Sequence, residues 1–549
     1  MVRRIPRRIL RSVNHCGEFN VSFSKECGTL GCDPRSFVLN EKDIARSSRN
    51  VIDQNATRTL SQTFQRDFST FAKKTPPEPR RVPFFGTMLS LMMAGGAQKL
   101  HEYVDRRHRK LGPVFKEQIG PLWIVFVNSP DEFRKIFLRL EGPTPQHFIP
   151  EAWRLYNEIR AQRRGLIFMD GDEWLHFRRI LNKTMLLPNP TKFMCAPCQE
   201  IAENLARKWM YYSLAGSAIP NMECQLYQWS IEVMLATLIG SRWRDCEQHL
   251  RPEAEHLALM LHQIFIYSST LSMMPAKLAM RLRLPAWTKF VRTADEILVT
   301  VRNLVLKMIF LESDGLLRMM INDGIGNDDA IRIVTDFIIA AGDTTAISMQ
   351  WALLLLSDRP ELQDQLFHDI KDLPPEEILR HPLLKGVWKE ALRLHPVAPF
   401  LSRYMLADNT IGDYFVAKGD LIVLSIYSSG RDGNDFPDPN EFRPERWIRT
   451  KDGSYQGVKN SYATLPFAMG VRSCIGRKLA ETQMSLTLAQ VSRAINPIRV
   501  TISCISFSSL QLIKNFKIEC ENRDSIKMIL HLISVPSKPI QLKLTKRKL

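Results

Sequence analysis

A chain of 549 residues, 45% hydrophobic and 24% charged, is long enough to bury one large core. Its net charge of +18 suits an acidic protein partner and an anionic membrane surface, and no nucleic-acid motif accompanies it. Ten cysteines without regular spacing argue for a reducing compartment and against a disulfide framework.

The first seventeen residues carry Arg3, Arg4, Arg7, Arg8 and Arg11 and no acid before Glu18. They lack the apolar run of a signal peptide or membrane anchor, and the pattern resembles a mitochondrial presequence. We expect a presequence and disordered segment over 1–75, its cleavage site open, and a single domain over 76–549. Pro76, Pro77, Pro79 and Pro83, with Arg80 and Arg81, make a stiff basic linker into Phe84-Phe85-Gly86. Asn55-Ala56-Thr57 is a glycosylation sequon by pattern only.

Acids at Asp172 and Glu173, followed by Trp174 and Arg178 at i, i+4, predict a helix opening near 172 with both side chains on one face. Alone, this is an ordinary amphipathic helix. Cys195-x-x-Cys198 has no second pair to complete a metal site. Residues 264–287 mix Met and Leu with Lys277, Arg281 and Arg283, as an interfacial segment or a partly buried helical connection would.

Residues 331–356 are long, apolar and free of proline, predicting a buried central helix. Asp343-Thr344-Thr345 interrupts it, and a buried acid beside a hydroxyl is costly unless satisfied or used. Two uses fit, a local opening of the helix and delivery of protons. The bland alternative is threonines bonded back to their own backbone.

Glu390 and Arg393 stand at i, i+3 on a helix ended by Pro396, preceded by Lys385 and Lys389. Downstream, Phe442-Arg443-Pro444-Glu445-Arg446-Trp447 offers a further arginine.

The run from Leu465 to Arg477 places Phe467, Gly470, Arg472, Cys474 and Gly476 at F-x-x-G-x-R-x-C-x-G spacing. Such a loop can hold a thiolate against iron: the glycines permit tight turns and bring main-chain N–H groups towards the sulfur. Phe467 would exclude water, and Arg472 can pair with a half-buried carboxylate.

This spacing resembles the haem-binding loop of the cytochrome P-450 superfamily. The resemblance implies a mainly α fold with small β-sheets, the haem between the long central helix and the Cys474 loop. It implies Cys474 as the axial ligand of haem b (iron protoporphyrin IX), O2 as co-substrate and Asp343 and Thr344 as a proton relay. Ala341 stands where many members have glycine. Trp174 and Arg178 would donate to a haem propionate; Glu390, Arg393 and Arg446 would form a structural cluster behind the haem. Lys385 and Lys389 match cations by which mitochondrial members dock ferredoxin, itself reduced from NADPH through ferredoxin reductase. Location on the matrix side of the inner mitochondrial membrane, in peripheral contact with it, follows from the same likeness.

Five longer stretches, 145–158, 164–182, 225–233, 339–353 and 393–400, narrow the resemblance to insect mitochondrial members that hydroxylate ecdysteroids at carbon 2. The implied reaction takes 2-deoxyecdysone to ecdysone. A mitochondrial hydroxylase acting on another ecdysteroid position or on xenobiotics, and a haem-binding isoform without turnover, keep the same motifs. Pocket walls are expected between Pro143 and Gly165, in the turn before Asp343 and over Val397 to Phe400.

One segment breaks the pattern. A helix begins well over Glu481 to Gln490, and a strand resumes at Leu512 to Glu519. Between them, 491–511 contains Pro497 and no acid. Val491-Ser492 can be encoded GTAAGT and Leu510-Gln511 TTACAG, which look like splice signals; a retained intron is expected.

Overall fold

The computed structural model describes residues 74–186, 191–272, 274–311, 313–493 and 516–546. The expected presequence up to residue 73 and residues 494–511 of the expected insertion lie outside them.

Helix α1 (Leu100–Leu111) leads into an antiparallel hairpin, β1 (Val114–Ile119) and β2 (Leu122–Val127), with Phe115 opposite Phe126. Long helices follow: α2 (Glu151–Ile159), α3 (Gly171–Met185), α4 (Thr191–Leu214), α5 (Met222–Ile239), α6 (Trp243–Leu271), α7 (Pro285–Phe310) and α8 (Asn327–Ser357). Helix α3 starts where the acids predict, after Asp170, with Asp172 and Glu173 in its first turn. The 264–287 segment divides into the end of α6, a short helix Ala276–Arg281 and the start of α7. Ile264, Leu271 and Ala276 are buried; Lys277, Leu278, Arg281 and Leu282 are exposed.

Helix α8 begins a turn earlier than expected, with Asp328 and Asp329 favouring its positive N-terminus. It is apolar enough to cross a membrane, yet 83% of its most apolar window is buried inside the protein, as in a core helix. It packs on α5, α6 and α7. Helix α5 is buried on every side from Trp229 to Ile239, so it reads as apolar all round rather than amphipathic.

Helix α9 (Pro382–Leu394) ends before Pro396. Strands β3 (Phe400–Tyr404) and β4 (Leu421–Ser425) then return to the first hairpin. The sheet order is β1-β2-β4-β3: β4 runs parallel to β2, Val127 beside Leu424, and β3 antiparallel to β4. All five residues of β4 are buried, as expected of a strand covered on both faces. Helix α10 (Arg477–Arg493) follows the cysteine loop, and β5 (Phe516–Cys520) resumes the chain. A hairpin of β6 (Met528–His531) and β7 (Ile533–Pro536) precedes β8 (Leu542–Lys546), which pairs with β5. The fold is mainly helical with small sheets, as the sequence implies.

Candidate functional site

The loop before α10 closes on itself: the Cys474 N–H donates to Phe467 O at 2.9 Å and the Ser473 N–H to Gly470 O at 3.3 Å. Gly470 adopts φ 79°, and a Cβ there would run into the Glu141 carboxylate and Phe137 O. Glu141 joins two parts of the site, its Oε1 accepting from the Val471 N–H at 2.9 Å and its Oε2 from Arg403 Nε at 2.7 Å. Phe467 sits edge-on to Trp388 with the Arg477 guanidinium over its face.

Cys474 keeps accessible surface although protein surrounds it closely. Burial pushes its thiol up from the ordinary value; the Gly476 N–H, then Arg178 and Arg477, act the other way and favour the thiolate. The expected backbone donor to sulfur is therefore at Gly476.

Beside the thiol, Arg178 Nη2 donates to Ser473 O at 2.6 Å, and burial lowers its guanidinium to about 10. Arg472 lies over the Trp174 ring at 4.8 Å. Its Nη1 donates to Pro145 O and Asp170, and its Nη2 to Ile167 O and Met169 O. The carboxylate expected against Arg472 thus has Asp170 as a competitor at 3.1 Å. Burial, then Arg472 and Arg403, depresses His147 to about 3.

Three donors in this region, Arg178 Nε, Arg403 Nη2 and His147 Nδ1, are buried without a hydrogen-bond partner among the described residues. Buried guanidinium donors left unpaired are expensive, so Arg178 and Arg403 call for an anion beside the cysteine loop. A haem with its two propionates fits that need. Arg403, His147 and Glu141 were not picked out by motif: their only signal is an arginine inside an otherwise apolar strand and an acid next to Gly142.

On α8, Asp343 is 2% exposed and its Oδ1 has no partner among the described residues. Burial, reinforced by Glu223, holds its carboxyl well above the usual range and favours its protonated form. The expected local opening is not found: α8 is continuous, and Thr344 Oγ1 donates to Ala340 O at 2.6 Å. A threonine can take the carbonyl four residues back without breaking the helix, which is why the hydroxyl alone does not open it. A second acid on this helix, Asp336, accepts from the Ile167 N–H at 2.6 Å, and burial raises it to about 7.

Behind the loop, Glu390 accepts from Arg393 Nε and Nη2 at 2.9 and 2.7 Å, from Arg446 Nε at 2.7 Å and from Trp447 Nε1 at 2.8 Å. The three expected residues come together, with Trp447 as an unforeseen fourth. Lys389 is less free than expected, its ammonium 5.2–6.0 Å from the rings of Trp388, Trp447 and Tyr455. Lys385 is half-buried, its pKa lowered by burial, with Glu481, Lys389, Lys478 and Arg380 around it.

Helical fold, cysteine loop and paired Glu-Arg-Arg cluster together define a haem-thiolate protein. The cytochrome P450 sequence profile matches residues 76–494, and the chain belongs to that family. It is 35% identical over 498 residues to cytochrome P450 315a1, mitochondrial, of Drosophila melanogaster, covering 87% of this chain and 89% of that protein. It is 30% identical over 432 residues to human 25-hydroxyvitamin D-1 alpha hydroxylase, mitochondrial, covering 74% and 84%. It is 26% identical over 477 residues to the cholesterol side-chain cleavage enzyme, mitochondrial, of Oncorhynchus mykiss, covering 83% and 87%. The protein is a haem-dependent monooxygenase that uses dioxygen and takes its electrons from ferredoxin.

Proposed function

We propose that this enzyme hydroxylates a steroid, and that its substrate is 2-deoxyecdysone, converted to ecdysone. The observation that carries this reading is where the distinguishing stretches lie. A cavity of about 450 Å³ has Trp153, Tyr156, Phe168 and Ile339 in its wall, all within the stretches that resemble insect ecdysteroid 2-hydroxylases, while the wall from α6 and α7, with Ile264 and Arg302, lies outside them. Aromatic and aliphatic wall residues alongside polar and charged ones such as Asn157, Thr335 and Asp336 suit a hydroxylated steroid.

Haem bound through Cys474 supplies reductive activation of dioxygen, one oxygen entering a C–H bond and the other leaving as water. Cys474 would supply the thiolate, with the Gly476 N–H and Arg178 opposing the burial that favours its neutral thiol. Arg178 and Arg403 would neutralise the propionates and the neutral His147 ring would offer a hydrogen bond, with Trp174 and Arg472 packed behind them. Asp343, its carboxyl pushed by burial towards the protonated form, would hand a proton to the Thr344 hydroxyl as that hydroxyl releases its own towards the haem pocket. Glu390, Arg393 and Arg446 keep the proximal wall rigid, and Lys385 and Lys389 belong to the face that receives ferredoxin. NADPH is the upstream reductant. We place the mature enzyme in the mitochondrial matrix, against the inner membrane, without the segment 1–75.

The absence of acids and the presence of Pro497 support reading 491–511 as retained intron, although the profile match runs to 494, inside it; sequencing the transcript across the junction tests it, and mature message keeping those codons would sink it.

Mass-spectrometric analysis after reconstitution with ferredoxin, its reductase, NADPH and 2-deoxyecdysone, with and without 491–511, tests the substrate. Ecdysone is the expected product. A different hydroxylated product, as the vitamin D and cholesterol enzymes among the relatives leave open, overturns 2-hydroxylation while keeping the monooxygenase.

A further inference from the structure

One carboxyl ties the segment after α2 to α8 and still has bonding capacity left over. Asp336 of α8 is 5% exposed, and its Oδ2 accepts from the Ile167 N–H at 2.6 Å. That amide is the one hydrogen-bond donor it has among the described residues, whereas a carboxyl can take several. Gly165 leaves it room. A Cβ there would lie 2.4–2.5 Å from Asp336 Cγ, Oδ1 and Oδ2, so any side chain would press on both oxygens. Gly165 is not among the glycines with positive φ, so the position asks for space and not for an unusual backbone.

Asp336 and Gly165 both line the cavity of about 450 Å³, so the gap left by the absent side chain sits in its wall. Neighbouring polar wall groups commit their donors elsewhere: Thr335 Oγ1 to Ile331 O at 2.8 Å, the Tyr156 hydroxyl to Asp295 at 2.8 Å, and Arg332 to Asp329, Glu173 and Arg164 O. Helix α8 then sets a scale. Ile339, also in the wall, stands one turn beyond Asp336, and Asp343 and Thr344 stand two turns beyond it, about 11 Å along the axis at about 1.5 Å per residue. A steroid nucleus is about that long. With carbon 2 at the Thr344 end, what reaches Asp336 is the start of the side chain, where 2-deoxyecdysone carries its carbon-22 hydroxyl.

We propose that Asp336 is a specificity-determining residue that binds the carbon-22 hydroxyl of the steroid and so fixes which end of the molecule faces the haem. The inference rests on the ecdysteroid reading above and adds a named contact to it. The alcohol O–H donates to Asp336 Oδ1 while Oδ2 keeps the Ile167 N–H. Burial raises Asp336 to about 7, so neutral and ionised forms coexist near neutrality, and either accepts from an alcohol. A steroid lacking that hydroxyl buries the carboxyl with the bond unmade, and a buried polar group left without its partner is what rejects a near-identical ligand.

The test uses the haem-loaded enzyme and two probes, 2-deoxyecdysone and the same steroid without its carbon-22 hydroxyl, with binding measured by calorimetry. The parent is expected to hold 2-deoxyecdysone about tenfold more tightly, as one hydrogen bond allows. Asp336→Asn keeps an oxygen for Ile167 and a polar group for the alcohol, and should retain that preference; Asp336→Leu should bring the ratio to about one. Taking the ratio within each variant cancels a general loss of packing. Infrared spectroscopy gives a second readout that needs no apolar variant: at about pH 6 the protonated Asp336 band of the parent, assigned by its loss in Asp336→Asn, should shift with 2-deoxyecdysone and stay unmoved with the other probe. The parent's preference kept in Asp336→Leu, or a band that answers both probes alike, overturns the contact and leaves the substrate reading standing. A parent that binds neither probe overturns the substrate reading, and the contact with it.

Discussion

Arg446 donates its Nε to Glu390 across 2.7 Å, a fully buried contact between residues 56 positions apart. It ties the chain just before the cysteine loop to helix α9. Removing the acid in Glu390→Ala strands two buried guanidinium groups, Arg393 and Arg446. The expected cost is about 3–5 kcal/mol, the penalty of an uncompensated buried charge. Urea unfolding measures it, and a loss under about 1 kcal/mol would show that the cluster does not hold the proximal wall.

Haem retention should depend on residues that no motif marks. Arg403→Leu removes the partner of Glu141 and one unpaired donor beside Cys474. Gly470→Ala forces a side chain into Glu141 at a left-handed backbone position. Both are expected to release haem more quickly to an apoprotein acceptor such as a haem-free globin. Cys474→Ser is expected to abolish the thiolate absorption altogether. Parent release rates in both of the first two variants would refute the role given to this cluster.

The two lysines before Glu390 should separate. Lys385 lies among Lys478, Arg380 and Glu481, whereas Lys389 is enclosed by Trp388, Trp447 and Tyr455. Lys385→Glu is expected to slow ferredoxin association in a manner that weakens as salt is raised, with little change in melting temperature. Lys389→Ala should lower the melting temperature as well, because a cation over three rings contributes to packing. Stopped-flow reduction at two ionic strengths, with a melt of each variant, distinguishes them.

Asp336 gives the enzyme an alkaline liability. Burial raises its folded value to about 7 from an ordinary 3.8, so the folded chain keeps a proton that the unfolded chain releases. Its contribution is intact below about pH 4 and is lost as pH rises through about 7. Asp336→Asn keeps an oxygen for the Ile167 N–H and removes the titration. Melting temperatures from about pH 5 to about pH 8 should fall for the parent relative to this variant; parallel curves would contradict it.

What the sequence made legible was local. The spacing around Cys474, the Trp174–Arg178 step on α3 and the Glu390–Arg393 step on α9 lie within a few turns of backbone, and the structure reproduces each neighbourhood. The length and burial of α8 followed from an apolar run without proline. What stayed hidden was assembled across distance. Arg403, bonded to Glu141, and His147, beside Arg472, reach the cysteine loop from a strand and a connecting segment far from it in the chain. The enclosure of Lys389 depends on Trp447 and Tyr455, about 60 residues on, beyond any periodicity. Whether Thr344 helps open α8 or bonds back to its own backbone was left open by the sequence, which does not say whether the hydroxyl turns away from the helix or back to Ala340.

The parallel pairing of β2 with β4 sets an order on biogenesis. Val127 finds Leu424 only after roughly 300 further residues have emerged, a span of long-range closure associated with slow folding. Until then the β1–β2 hairpin offers an unpaired edge, Ile124 to Val127, of the kind that invites intermolecular pairing. Emergence of the Cys474 loop comes later still, so the newly made chain passes through a long interval in which chaperone shielding, not cofactor, keeps it from aggregating.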